Sequence, residues 1–325
     1  MQAVQDNRAK YSQRLPWASH RHMSMYIADF LRDPIKKGHC AVVAGAVCIS
    51  FAALFVKDAP IDPSMVALYR LLFGGAALVI FAVLRKERLV PSRSILPYML
   101  LAAFFFSADL TAWHASIVRI GPGLATILAN FQVFFLALFG ACVLKEQLSL
   151  RHTLAMPLAL IGLCLLLEVN PGKLPGNIAE GVVFGLATAL FYTIYILALR
   201  RSQSGNDKLP AIANMAVVSL IACFLEGIFC AGAGISFSIP DMHTFLLLAA
   251  LGILCQATGW FLLSTGLPHM PASRAGLIML TQPALSFLWD IIFCQRPTGI
   301  IGYAGALVSI GAIYMGLAKT KKKSP

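Results

Sequence analysis

The chain has 325 residues, of which 58% are hydrophobic and only 12% are charged, and its mean hydropathy is +0.77. A soluble domain carries about 25% charged residues, so this composition excludes a soluble protein and indicates a polytopic membrane protein. The net charge of +12 does not indicate nucleic-acid binding, because the Lys and Arg residues lie at loop ends and in the tails.

The chain begins with a polar, basic tail, residues 1–37, in which no cleavable signal sequence is recognised. Residues 23–37 predict a short interfacial helix that ends before Pro34, with a disordered tail as the alternative. Met1, Met23 and Met25 are all candidate start residues, and the sequence does not decide between them.

Ten apolar segments follow the tail, each about 20 residues long and therefore able to cross a bilayer as a helix. They are called spans one to ten and cover residues 39–57, 64–84, 95–117, 122–143, 152–169, 181–199, 209–230, 244–264, 273–294 and 299–318. Short loops rich in Pro and Gly connect the spans and leave no room for an extramembrane domain.

Lys and Arg residues predict the orientation, because they concentrate in cytoplasmic segments. An N terminus in the cytoplasm places 21 of the 26 basic residues on the cytoplasmic side and 4 on the outer side, with Arg70 inside span two. We therefore expect both termini in the cytoplasm.

The second half of the chain repeats the first. Residues 114–146 and 264–296 share a polar turn, small residues, an apolar helix and one Gln, and both Ala125/Ala275 and Gln132/Gln282 lie 150 residues apart. Five spans per half invert the second copy relative to the first. The sequence thus predicts an all-α membrane protein of ten helices in two inverted repeats. Its segments are a cytoplasmic tail 1–37, a first repeat 38–170, a second repeat 171–318 and a Lys-rich cytoplasmic tail 319–325.

Several motifs carry a resemblance to a known family. They are Lys57, Arg70 within residues 67–75, Lys145-Glu146-Gln147-Leu148-Ser149, Pro271-Ala272-Ser273-Arg274-Ala275 and Gln282-Pro283. Over about residues 40–318 the chain resembles the drug/metabolite transporter superfamily, in particular the EamA type with two EamA repeats. The resemblance implies a carrier that exports metabolites or drugs across the cytoplasmic (inner) membrane, but it names no substrate.

The chain also departs from the family pattern. Arg296 stands where the second repeat usually has Glu, and Gln132-Val133 replaces a Gln-Pro pair. Span three carries Asp109, Trp113 and His114 in place of a tyrosine-rich pattern. We therefore expect an asymmetric site whose charge lies in the first half.

Charged residues inside the spans are the first candidates for function, because each costs about 2.5–3.5 kcal/mol at mid-bilayer on insertion scales. Arg70 and Asp109 lie at similar depth in the outer halves of spans two and three. They either form an ion pair, or Asp109 exchanges a proton while Arg70 holds an anionic group. A structural pair or a snorkelling Arg70 is the alternative. Asp290 is a second candidate proton site, although it, Glu226 and Glu168 could equally be solvated helix ends.

Neutral polar and aromatic residues at helical spacing predict a shared solute cavity. They are Trp113 with Asp109 in span three, Gln132 in span four, Tyr192 and Tyr195 in span six, Gln256 and Trp260 in span eight, and Gln282, Ser286 and Trp289 in span nine. Taken singly, each could equally be an interhelical hydrogen bond or a core aromatic. Pro283 predicts a kink in span nine that permits gating. For His114 the sequence favours packing over proton relay.

No nucleotide-binding loop, paired-His motif or glycine-rich dinucleotide fingerprint is recognised, so we expect neither an enzyme nor a bound metal or cofactor. The eight Cys lie in or beside apolar runs and are interpreted as core residues. We expect a secondary transporter that works by alternating access on a small-molecule solute in the lipid bilayer, driven by a proton gradient or by the solute's own gradient. It would act as a monomer or a homodimer. A membrane-embedded lipid-handling protein and a non-transporting scaffold or receptor remain alternatives.

Overall fold

The computed structural model describes residues 34–166, 178–295 and 298–317. Within these ranges every regular element is helical. Nine of the described helices are long and apolar enough to cross a membrane, and Leu150–Leu166 is a shorter apolar helix. The prediction of an all-α polytopic membrane protein is confirmed. The predicted interfacial helix lies almost wholly outside the described residues, as do Glu168, Arg296 and the C-terminal tail.

The spans of the first half comprise six helices. Span one is formed by α1 (Pro34–Ser50) and α2 (Ala52–Asp58), span two by α3 (Pro63–Leu84), span three and the start of span four by α4 (Leu96–Ala129), the rest of span four by α5 (Gln132–Cys142), and span five by α6 (Leu150–Leu166).

The second half follows the same order. Span six is α7 (Ile178–Ser202) and span seven is α8 (Ala211–Gly232). Span eight runs from α9 (Met242–Ala250) through a segment with i→i+5 hydrogen bonding (Leu251–Gly259) to α10 (Trp260–Gly266) and a 3₁₀ turn (Leu267–His269). Span nine consists of α11 (Ala272–Met279) and α12 (Thr281–Cys294), and span ten is α13 (Ile300–Leu317).

Side-chain caps start two of the spans. The Ser64 N–H donates to Asp62 Oδ1 at 2.8 Å at the start of α3, where Pro63 occupies the first turn. The Thr244 N–H donates to Asp241 Oδ1 at 2.7 Å at the start of α9. This bond holds the pKa of the Asp241 carboxyl below its ordinary value, because it stabilises the ionised form.

Helix α4 contains the turn between spans three and four. A Cβ atom placed on Gly185 would lie 2.8 Å from Leu128 Cβ and 3.1 Å from Ser116 Oγ. Twelve residues of straight helix would separate those two residues by about 18 Å, far beyond this distance. The chain therefore folds back between Ser116 and Leu128, although its helical hydrogen bonding runs through the turn that the sequence predicts as a loop.

Spans four and nine break at related positions of the repeat. In span nine, α11 ends at Met279, and Pro283 lacks the N–H that would bond the Met279 carbonyl. Span four ends its first helix at Ala129, 150 residues earlier, without a proline. There Asn130 Nδ2 donates to the Thr126 carbonyl at 2.7 Å and stabilises the break.

The two halves pack against each other through several pairs of spans. Span three lies against span six, span two against spans seven and eight, and span five against span ten. A Cβ on Gly162 in span five would meet the backbone of Gly305 and Ser309 in span ten. Small residues thus allow these two helices to approach at backbone distance.

Candidate functional site

A hydrogen-bonded chain of polar side chains joins spans two, eight and seven. Arg70 Nε donates to Gln256 Oε1 at 3.1 Å, and Gln256 Nε2 donates to Ser219 Oγ at 3.0 Å. Gln256 and Ser219 are fully buried. Glycine makes the approach possible, because a Cβ on Gly74 would lie 2.6 Å from Gln256 Cβ. Gln256 therefore fixes the position of the Arg70 guanidinium.

The local structure of span eight places Gln256 beside Trp260. Hydrogen bonding of the i→i+5 type runs from Leu251 to Gly259, directly before Trp260 begins α10. Such widened helical segments are rare and occur frequently at functional sites. Gln256 and Trp260, four residues apart, are both buried against other spans.

Asp109 is buried beside this chain, with 6% of its surface exposed. Arg70 attracts its carboxylate and Glu226 repels it. Among the described residues, however, no Arg70 nitrogen lies within the 4.0 Å of a salt bridge from an Asp109 oxygen. The direct ion pair, one of the two predicted alternatives, is absent from this conformation because Arg70 is held by Gln256 instead.

Four aromatic rings from spans three, six and eight form a compact cluster next to Arg70 and Asp109. Phe106 stacks on Tyr195 at 4.4 Å between ring centroids, and Trp260 meets Tyr195 edge-on at 4.8 Å. Trp260 also contacts Tyr192 at 6.0 Å. The side chain of Gln282 from span nine lies next to the Tyr192 hydroxyl. This arrangement, called the aromatic cluster below, consists of Phe106, Tyr192, Tyr195 and Trp260.

Several buried polar atoms at or near the cluster lack a hydrogen-bond partner within the described part of the chain. They are the Tyr195 hydroxyl, Trp260 Nε1 and Gln282 Nε2, together with Thr188 Oγ1, which lies one helical turn before Tyr192. Buried polar groups in proteins are nearly always hydrogen-bonded, and an unsatisfied one costs about 1–3 kcal/mol. These atoms can therefore bond the polar groups of a ligand without losing bonds inside the protein.

The structure places two predicted residues of span nine away from the aromatic cluster. Ser286 Oγ donates to the Ser50 carbonyl at 2.7 Å, and Trp289 Nε1 donates to Ser50 Oγ at 2.8 Å. Trp289 also stacks on Phe51 at 4.6 Å. Span one is broken at Phe51, which frees the Ser50 carbonyl for this contact. Ser286 and Trp289 thus anchor span nine to the break in span one.

The remaining predicted residues lie at other places. Trp113 packs with Ile120, Ala125 and Leu128 at the turn between spans three and four. His114 Nδ1 lies 3.5 Å from Ser64 Oγ. Gln132 is buried at the start of α5, at the repeat position that matches Gln282. The side chain of Asp290 lies outside the described residues.

Glu226 in span seven is a buried residue that the sequence also allowed as a solvated helix end. Its side chain has no exposed surface, and Ser107 Oγ of span three donates to its Oε2 at 2.7 Å. Glu226 lies six residues before the end of α8 at Gly232, where the helix packs against spans two and three. A lone acidic residue in an apolar run was the available signal, but the sequence does not show which side the helix buries.

A carboxylate joins three spans at one end of the molecule, called the basic end because its loops at 85–94, 143–149 and 200–208 carry eight Lys and Arg residues. Glu146 accepts hydrogen bonds from Ala272 N at 2.7 Å, Ser273 N at 3.2 Å and Ser273 Oγ at 2.8 Å. Arg200 Nη1 lies 3.7 Å from Glu146 Oε1. A carboxylate at the start of α11 also meets the positive end of that helix. These contacts, called the Glu146 clamp, link span four to spans six and nine.

A weaker contact joins the halves at the opposite end. Arg119 Nε lies 3.0 Å from Glu180 Oε2, with 32% and 64% of the two side chains exposed. Exposed ion pairs contribute about 0–1 kcal/mol. Arg119 also covers the ring of Phe184 at 4.7 Å. Beside this pair, Ser116 Oγ donates to the Gly181 carbonyl at 2.8 Å, so hydrogen bonds join the halves at both ends.

Known proteins share this architecture. The profile of a family described as the EamA-like transporter family matches residues 36–168 and 179–317. The pseudopaline exporter CntI of Pseudomonas aeruginosa is 23% identical over 294 residues, which cover 89% of this chain and 99% of the relative. A probable amino-acid metabolite efflux pump of Escherichia coli is 23% identical over 277 residues, covering 82% of this chain and 89% of the relative. One protein of known crystal structure has the same fold, with a TM-score of 0.76 at 17% identity, and the match covers 86% of this chain and 96% of that one.

Proposed function

The chain belongs to the EamA-like transporter family, and on this premise we propose that it is a secondary transporter that exports a small metabolite by alternating access. The basic end then faces the cytoplasm, with both termini on that side of the cytoplasmic membrane. The names of the two relatives, an exporter and an efflux pump, support the outward direction.

One observation carries the proposal: both halves contribute to a buried aromatic cluster whose polar atoms lack partners within the described residues. The first half supplies Phe106, and the second half supplies Tyr195 and Trp260. The Tyr195 hydroxyl and Trp260 Nε1 have no hydrogen-bond partner in the part of the chain that the structure describes. A site shared between the halves changes its geometry when they move, as alternating access requires.

The chemistry around the cluster favours an amino-acid-like solute. Arg70 offers a guanidinium to a carboxylate, and Asp109 offers a carboxylate to an amino group. The aromatic rings suit an apolar or planar body, and they also bind cations through their faces. The E. coli relative, named an amino-acid metabolite efflux pump, supports the same class.

The contacts at the two ends support the alternating cycle. The Glu146 clamp is largely buried and closes the basic end, whereas the Arg119–Glu180 pair is exposed and weak. The breaks after Ala129 and Met279 divide spans four and nine into segments that can tilt independently. The contacts at the two ends would then open in turn as the halves move.

An untargeted comparison of metabolites in the medium tests the proposal. Cells that carry the gene should release more of one or more metabolites with both an amino and a carboxylate group than cells that lack it. Tyr195→Phe, which removes only the unpartnered hydroxyl, should reduce this release. Tyr314→Phe is the matched control, because Tyr314 is 78% exposed. Equal media with and without the gene, at confirmed expression, would count against transport.

A further inference from the structure

Glu226 is a carboxyl group for which the family comparison offers no role. It has no exposed surface, and its Oε1 has no hydrogen-bond partner among the described residues. Its Oε2 accepts one hydrogen bond, from Ser107 at 2.7 Å. Within the described ranges no Lys, Arg or His nitrogen lies within the 4.0 Å of a salt bridge from Glu226. One hydroxyl donor is little compensation for a buried negative charge.

The charges around Glu226 do not balance. Ser107, which donates to Glu226 at 2.7 Å, lies two residues before the buried Asp109 on span three, so the two carboxyl groups are near neighbours that repel each other. Arg70 is the cation that acts on Asp109. Arg70 therefore offsets the charge of Asp109, while no cation acts on Glu226 among the described residues. Keeping both of two neighbouring buried carboxylates charged costs free energy. Binding one proton brings the net charge of Arg70, Asp109 and Glu226 together to zero.

We propose that Asp109 and Glu226 form a proton-binding pair that holds one exchangeable proton, with Glu226 Oε1 as its position. Protonated Oε1 becomes a donor, while Oε2 keeps the Ser107 bond. The proton comes from water and returns to water, and no covalent bond to another molecule forms or breaks. Only the role of this proton in transport rests on the proposed function. If the proton binds from one side of the membrane and is released to the other, export is coupled to a proton gradient.

The ionisable groups that face the pair come from its own helices and from those packed against them. Arg70 lies on span two, and Tyr192 and Tyr195 lie on span six. Asp62, the cap residue of span two, acts on Cys230 and not on the pair itself. Cys223 and Cys230 share span seven with Glu226. Arg70 is the permanent cation in this set, so the charge of the pair decides the net charge of the group.

Infrared spectroscopy of the purified protein in lipid vesicles tests the pair without any solute. During a pH titration in potassium buffer, the carbonyl-stretch band of a protonated, buried carboxyl should appear and disappear reversibly. Glu226→Gln should abolish this band, and Asp109→Asn should shift the midpoint of its titration. Glu180→Gln is the matched control, because the Glu180 side chain is 64% exposed, and it should leave the band unchanged.

Several results would overturn the proposal. The first two are the absence of a titrating band in the wild type and an unchanged band in Glu226→Gln. The third is loss of the band when sodium replaces potassium at constant pH, because that result would assign the site to a sodium ion. The Gln variant is isosteric with the protonated acid, so its folding is expected to persist and is checked by size-exclusion chromatography. Because this experiment needs no transport, its failure is distinct from equal media in the metabolite comparison.

Discussion

Replacing Glu146 with alanine removes the carboxylate that holds the start of span nine against span four. The first N–H groups of a helix have no partner inside that helix. At α11, Ala272 N and Ser273 N donate to Glu146 instead, at 2.7 and 3.2 Å. The variant should therefore release these two amides while α11 itself stays folded.

The size of the effect follows from the bonds that are lost. A hydrogen bond to a charged group contributes about 1.5–3 kcal/mol, and the lower figure suits a side chain that is 13% exposed. Two such bonds give about 3 kcal/mol, which raises the population of the open state, and with it the exchange of these amides, on the order of 100-fold at 1.36 kcal/mol per tenfold change. Glu146→Gln keeps one acceptor oxygen and should give an intermediate value.

Hydrogen–deuterium exchange with mass spectrometry measures this opening directly. Peptides that contain Ala272 and Ser273 should exchange faster in Glu146→Ala, whereas peptides from span seven should not change. Glu180→Ala removes the exposed carboxylate at the opposite end and serves as the control. Unchanged exchange at residues 272–273, or the same acceleration in the Glu180 variant, would refute the clamp as the contact that closes the basic end.

Three further predictions concern packing and the polar chain. Gly162→Val should destabilise the fold by about 1–3 kcal/mol, because the new side chain meets the Ser309 backbone; Gly311→Val, facing open space, should leave the melting temperature nearly unchanged in a thermal-shift assay. Gln256→Leu should leave Arg70 Nε unpaired, destabilise the fold by about 1–3 kcal/mol and sharply reduce metabolite release into the medium. Arg70→Lys keeps the charge but loses the planar Nε donor, so release should fall similarly while the protein remains folded.

The length of each apolar segment predicts most of the helices, because a segment that crosses lipid must bond its backbone polar groups internally and therefore folds as a helix. Span two, predicted at 64–84, is the helix Pro63–Leu84, and its start carries the Asp62 cap and Pro63. The break at Phe51 has no such local signal, since neither Pro nor Gly stands there. Its partners Ser286 and Trp289 lie more than 230 residues away in the chain. A break held by tertiary contacts is not visible in a local pattern.

In the candidate site, too, the sequence predicts features within one helix but not the contacts between helices. Helical spacing places Tyr192 and Tyr195 on one face of span six, as the sequence predicts. The contacts of both rings with Trp260 of span eight join two different helices. Which face meets which neighbour depends on the rotation of packed helices, and spacing carries no such information. The sequence therefore does not predict that Arg70 bonds Gln256 instead of Asp109, or that the side chain of Glu226 is buried.

Solute efflux from sealed proteoliposomes tests the central claim most directly. Vesicles containing the purified protein would be loaded with pooled metabolites, exposed to an imposed pH gradient and sampled by mass spectrometry. The account predicts protein-dependent efflux of metabolites that carry both amino and carboxylate groups, reduced in Tyr195→Phe and retained in Tyr314→Phe. Equal retention of every pooled metabolite by vesicles with and without the protein would contradict it.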